Sequence, residues 1–368
     1  MQLYEHEVLV YVWRFSGFRT GHASIKLKAP GLLNPAANGK QHQYVSWWPR
    51  GGPNDPGGLR WRDAAPSTSY RSDRREELSP KTRQALASGR FKAMGRQKAS
   101  LPYEPKLGED PLTDANAWGL SADAKIRLPG LGNAGLVFGL DIGAMVRWWN
   151  LFTHSGSNEF NILKLNCSRV AAMCLLAGGA ARYCKPPTRA FNLWTPNSIE
   201  AWALKLDSAL KARNEAAKEI ELERLPSNDQ PPSYLLDVGT WQKATKPGSF
   251  SVRRGQVLKI DKLLHEYGVV AGRTDAEGQR EALNVLEQIL GQVHSHIVQK
   301  GDGSRNREVV LQLGQHVLKL YRERSVRLAL LKQSQAKNLV GASKYQLLDE
   351  YNALMAEGLK LGTESWGQ

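Results

Sequence analysis

Cysteine is scarce in this sequence: Cys167, Cys174 and Cys184 are the only three in 368 residues. They allow at most one internal disulfide and leave a free thiol, which excludes a disulfide scaffold and points to synthesis in a reducing compartment such as a bacterial cytoplasm. Long hydrophobic runs are also missing. The most apolar stretches, "VAAMCLLAGGAA" from 170 and "AGLVFGL" from 134, fall short of the ~20 residues that cross a bilayer, so no transmembrane segment is expected. The opening "MQLYEHEVLV" has no basic start, apolar core or small-residue cleavage site, and it reads as a strand rather than a signal peptide. No block of cations resembles a nucleic-acid arm. "PGLGNAGLVFG" has no Lys-Ser/Thr ending and is no phosphate-cradling loop. His294 and His296 stand two apart on a predicted helix and point to different sides, and no Cys/His pair has zinc spacing, so no metal or other cofactor is expected. Internal repeats and low-complexity segments are absent.

What is present is a hydrophobic fraction of 41% and a formal charge of +15. The first suits a soluble protein of two or three domains. The second favours an anionic partner: nucleic acid, anionic lipid, an acidic protein or a bacterial cell wall, among which composition does not choose. From residue 236 onward there are 19 basic and 14 acidic residues, so most of the excess lies earlier in the chain.

"HEVLVYVWR" from residue 6 alternates valines with Leu9, Tyr11 and Trp13, as a strand buried on both faces does. "HASIKLKA" from 22 and "HQYVSWWP" from 42 read as two more strands of a small antiparallel sheet. The stretch from Pro49 to about Leu131 reads as irregular, with one helix near 79–95, and "YRSDRREE" from 70 reads as a solvated turn of mixed charge. "LDIGAMVRWWNLF" from 140 is helical, as is the run after Asn166. A long helix is expected from a cap at Asn197 or Ser198. "PSNDQPPS" within 226–235 is the best linker and separates residues 1–225 from a helical domain over 236–368, with helices near 256–267, 276–299, 305–335 and 343–360.

In "NCSRVAAMCLLAGG" Asn166 is a good cap and Gly178 or Gly179 a good stop, which places Cys167 at the first helical position. There the unpaired amides and the helix dipole favour a thiolate, and the amides around Asn166 and Ser168 can hold the oxyanion formed by its attack. The alternative is that Cys167 is one more small apolar residue in a buried helix. A nucleophilic thiol needs a base. Of eight histidines His22 is the best placed, at a strand start after "RTG" and before the small Ala23 and Ser24; its alternative is a hydrogen-bonded structural role. A third group would orient the imidazole, and Ser46 and Gln43 are the polar residues of the next strand. Trp47, Trp48, Trp148 and Trp149 are candidates for a cleft lining or for the core.

"GHASIKL", "YVSWWP", "NCSRVAAMCLL" and "LWTPNSIEAWA" resemble permuted papain-like cysteine hydrolases of the NlpC/P60 superfamily, in particular effector toxins of bacterial type VI secretion. The resemblance covers about residues 1–210 and places the histidine strand before the cysteine helix, as in the permuted branch. It implies an α+β fold, with an antiparallel sheet on the helix that carries the catalytic cysteine, joined to the helical C-terminal domain. It implies Cys167 as nucleophile, His22 as base and Ser46 as the third residue, with Asn166, Ser168, Trp47 and Trp48 around the oxyanion or cleft. The function it implies is cleavage of amide bonds in peptidoglycan peptide by an antibacterial effector. Such an effector would be made without a signal peptide, act in a target cell's periplasm, and have an immunity protein and a secretion component as partners. The competing readings are a protease or glutamine deamidase acting on proteins, a lipid acyltransferase, and a non-enzymatic basic module binding nucleic acid or an acidic surface.

Overall fold

The computed structural model describes residues 4–15, 21–29, 42–49, 63–67, 69–77, 121–154, 159–187, 193–222, 236, 238–245, 253–298 and 305–337. They form two compact units, the first within 1–131 and 140–208 and the second within 132–139 and 209–342.

In the first unit β1 (Glu7–Trp13), β2 (His22–Lys28) and β3 (His42–Val45) follow the alternation read from sequence. Antiparallel pairing sets Trp13 beside His22 and Ile25 beside Val45. After β4 (Trp47–Pro49) and β5 (Ala64–Pro66), which pair with each other, comes α1 (Tyr70–Glu76). β6 (Ala124–Pro129) then joins the outer side of β1 and completes a sheet of order β3-β2-β1-β6. The stretch expected to be irregular thus contributes a sheet strand. Ile126 and Leu128 are buried in alternation along it, and that short alternation was hidden among charges. The residues of the helix expected near 79–95 lie outside the described residues.

Leu9, Tyr11, Trp13 and Tyr44 form one buried layer of the sheet, and Tyr70 of α1 packs against it. The Tyr11 and Tyr70 rings stack at 4.2 Å. The alternate residues Val8, Val10, Val12, Ala23, Ile25 and Leu27 are buried too, so the sheet is covered on both faces. α2 (Ile142–His154) and α3 (Cys167–Ala177) pack together. α3 also lies along β2 and touches β3 and β4.

α4 (Pro196–Leu222) follows. Its start differs from expectation by one turn: Thr195 is the cap, accepting the Ser198 amide on Oγ1, and Pro196 takes the first position, where its missing N–H costs nothing. Asn197 instead accepts the Phe15 amide, and Glu200 grips the Arg14 guanidinium through two hydrogen bonds.

The second unit is helical, with α5 (Val238–Ala244), α6 (Arg253–Val270), α7 (Ala276–Val298) and α8 (Arg305–Lys337). Asp275 caps α7, its carboxylate accepting the Gly278 amide at 2.8 Å. α6 runs through Gly268 to Val270, past the end expected near residue 267. The linker over 226–235 and the helix expected near 343–360 lie outside the described residues. Among those described, no helix is long and apolar enough to cross a membrane.

Candidate active site

The site is built where the start of α3 meets the start of β2. Asn166 caps α3: its Oδ1 accepts the Arg169 amide at 2.8 Å, while its Nδ2 donates to the carbonyls of Ile162 and Trp194. Its side chain is thus spent on fixing the chain before and after the helix. Cys167, the next residue, is buried with 9% of its surface exposed, and Ser168 is fully buried with its hydroxyl 3.8 Å from the thiol. Cys174, two turns along, is fully buried, and burial alone raises its thiol far above the ordinary range.

His22 is fully buried at the first position of β2. Its Nε2 lies 2.9 Å from Ser46 Oγ and 3.2 Å from Asp73 Oδ2. Ser46, between β3 and β4, donates its single hydroxyl proton to Asp73 Oδ1 at 2.8 Å. It can therefore only accept from His22, which assigns the proton to Nε2. Nδ1 has no hydrogen-bond partner in this arrangement and is the nitrogen left for the Cys167 thiol.

Asp73 is the residue that sequence reasoning missed. The segment read as a solvated turn is α1, opened by Ser69, whose hydroxyl accepts the Ser72 amide. Asp73, Arg74 and Glu77 are buried. The inward positions, Tyr70, Asp73, Arg74 and Glu77, follow helical spacing, but with polar residues where hydropathy looks for apolar ones. The carboxylate is fully buried and accepts from four elements of the network: Tyr44 Oη at 2.6 Å, Trp48 Nε1 at 2.7 Å, Ser46 and His22. Tyr44 in turn bonds Ser24 Oγ at 2.7 Å.

Burial opposes every charge here, but the charges favour one another. Desolvation lowers the His22 pKa, and Asp73 and Cys167 outweigh it, raising it to about 10. Asp73 stays below the usual carboxylate range because His22 and the Tyr44 and Trp48 donors overcome its burial. Cys167 is lowered in the same way: burial raises it, and His22, the Ala23 backbone and Ser168 more than compensate. All three shifts favour the charged forms, thiolate, imidazolium and carboxylate, with the aspartate holding the ring at Nε2.

The structure therefore brings together Cys167, His22, Ser46, Ser168 and Trp48. Trp48 stacks on the His22 ring, with centroids 4.0 Å apart and planes at 14°. Trp47 points elsewhere, into an apolar cluster with Trp149 and Phe152 that also includes Trp148. Gln43 is bonded to Asn150, outside the network. Among the described residues no group of His, Cys, Asp and Glu is arranged to hold a metal ion.

A family model for the IcsB middle domain matches residues 2–226, which include every residue of this network. The chain belongs to that family. Curated relatives include the effector protein BopA of Burkholderia mallei strain NCTC 10247 and of Burkholderia pseudomallei strain 668, each 28% identical over 237 residues, covering 57% of this chain and 45% of the relative. The chain thus spans about half the length of the curated relatives it matches. No solved structure matches it.

Proposed function

We propose that this member of the IcsB middle domain family is a secreted bacterial effector that performs acyl chemistry through Cys167. The effector role is supported by the BopA relatives, which are named effector proteins. The enzymatic reading is carried by one observation: a cysteine at a helix start, a buried histidine and a buried aspartate in a single network, with the thiol lowered and the imidazole raised. The permuted papain-like arrangement fits the order His22, Asp73, Cys167 and the antiparallel sheet beside the cysteine helix.

In the proposed reaction the Cys167 thiolate attacks an amide carbonyl, and backbone amides of the first turn of α3 hold the oxyanion. His22 gives its Nδ1 proton to the departing amine, leaving an acyl thioester. The now neutral imidazole takes a proton from water, which attacks the thioester and frees the thiolate. Asp73 keeps its charge throughout and orients the ring, and Ser46 bridges the two. Target-cell peptidoglycan is the substrate implied by the resemblance, with a cleft-blocking immunity protein and a secretion component as partners.

A second reading has an amine or hydroxyl of a target-cell molecule accept the acyl group in place of water. The burial of Cys167, His22 and Asp73 favours it, because excluding water lengthens the life of a thioester. Incubation of the protein with peptidoglycan and, separately, with a target-cell protein extract and its lipids distinguishes the two. New amine ends signal hydrolysis, and acyl additions to proteins signal transfer. Cys167→Ala abolishes either product if the proposal holds. Products that form equally with Cys167→Ala contradict the role given to Cys167, and the absence of any product from the wild type leaves a basic binding module.

A further inference from the structure

Two interactions converge on one side chain beside His22. The Trp48 indole lies flat on the imidazole, and its Nε1–H is bonded to Asp73 Oδ1 at 2.7 Å. On the other carboxylate oxygen, Oδ2, Tyr44 donates at 2.6 Å and is itself bonded to Ser24. A histidine held only through Nε2 is still free to swing about that contact. A ring stacked over it removes that freedom, and a stacking residue that is also bonded to the aspartate ties the ring plane to the carboxylate.

We propose that Trp48, seconded by Tyr44, is a positioning residue: it locks the His22 ring plane and the Asp73 carboxylate together, so that Nδ1 stays directed to the Cys167 thiol. This rests on Cys167 being the nucleophile. The titratable and charged groups that meet in the cluster are Asp73 from α1, His22 from β2, Tyr44 from β3 and Cys167 from α3. Tyr11 from β1 lies behind Tyr44, with Glu7 and Arg127 as its charged neighbours. The Arg74 guanidinium and the Lys125 ammonium sit over the Tyr70 ring. Neither Trp48 nor Tyr44 touches the thiol in any hydrogen bond of the network, so both act through His22 and Asp73.

The test needs no substrate. The rate of Cys167 alkylation by iodoacetamide is measured from pH 5 to 10.5 by mass spectrometry of the peptide over residues 165–169. Variants are Trp48→Phe, which keeps a ring and loses the donor, Trp48→Leu, which loses both, Tyr44→Phe, and the control Trp47→Phe. The expected result at pH 6 is a roughly tenfold slower reaction for Trp48→Phe, a larger loss for Trp48→Leu and a several-fold loss for Tyr44→Phe, a tenfold loss of thiolate matching one pH unit. All should regain the wild-type rate above the ordinary thiol range, where hydroxide forms the thiolate without help. Trp47→Phe should keep the wild-type profile. The proposal is overturned if Trp48→Phe and Trp48→Leu follow the wild-type profile, or if their loss is equal at all pH values, which would mark a change of access. A wild-type Cys167 that is inert at pH 6 overturns the nucleophile itself and this inference with it, and is recognised because the failure is already present without any substitution.

Discussion

At the scale of single residues the proposed chemistry depends on a carboxylate that composition alone cannot single out from 34 other acidic side chains. Asp73 is fully buried, yet it stays ionised because three neutral donors and an imidazolium surround it. Asp73→Asn removes that charge while keeping the volume, so His22 loses the partner that raises its pKa and Cys167 loses its counter-ion. Catalytic efficiency should fall by about 10³-fold or more, the scale seen when an orienting aspartate is neutralised in comparable sites. Steady-state kinetics on a substrate that gives a Cys167-dependent product measures it, and a loss under tenfold contradicts the assigned role. Asn166→Ala tests the other residue that sets the site. It removes a cap worth about 1 kcal/mol and two further bonds from Nδ2, so the expected loss of stability is about 2 kcal/mol by urea unfolding. Cys167 and His22 were legible in the sequence because a cap, a glycine stop and a strand start are local signals. Asp73 was not, because its partners come from β2, β3 and β4 and its own helix presents polar residues inward.

Among the elements, the hairpin between β1 and β2 carries the tightest constraint. Gly21 directly precedes His22 with φ +70°, and a Cβ there would stand 2.6 Å from the Trp13 carbonyl oxygen and 2.7 Å from the Phe15 nitrogen. Backbone atoms cannot step aside as a flexible side chain does. Gly21→Ala should therefore cost about 2–4 kcal/mol in unfolding free energy and displace His22, lowering Cys167 alkylation at pH 6 in the remaining folded protein. Wild-type stability and reactivity in this variant would contradict the constraint. Strands β1, β2 and β3 were readable from alternation over several residues, and α2 and α3 from helical periodicity. β6, α1 and β5 were not, because each is short and lies in a stretch dominated by Gly, Pro, Arg and Asp. The start of α4 was misplaced by a turn because Thr195, Asn197 and Ser198 are all capable caps, and only the tertiary bond from Phe15 shows where Asn197 is used.

At the scale of the whole molecule, the helical unit has its own anchor. Arg213 and Glu287 form a buried ion pair between the second half of α4 and α7. Truncation of one partner leaves the other charged and dry, so Arg213→Ala should destabilise that unit by about 3–5 kcal/mol in chemical denaturation. An effect below 1 kcal/mol would show the pair to be dispensable. The pH dependence expected of the proposed chemistry follows from the charges at the site. Cys167 lies below the ordinary thiol range and His22 is raised to about 10. The reactive pair thus forms as pH rises through the lowered thiol pKa, and it is lost as pH rises through the imidazolium pKa. Catalytic efficiency should rise at a lower pH than an ordinary thiol allows and decline only on approach to pH 10, whereas a free thiol with neutral imidazole would still be gaining rate between about pH 7 and 9.

The proposed nucleophile owes its lowered pKa to the charge of His22, which Asp73 sustains. The most direct test of that dependence is the ultraviolet absorbance of the thiolate near 240 nm, followed from pH 4 to 11 as the difference between the wild type and Cys167→Ser. The expected signal develops at a lower pH than that of an ordinary thiol, and moves up into the ordinary thiol range in His22→Ala and Asp73→Asn. A wild-type signal that first rises at pH 8.5 or higher, or one that neither substitution moves, would contradict it.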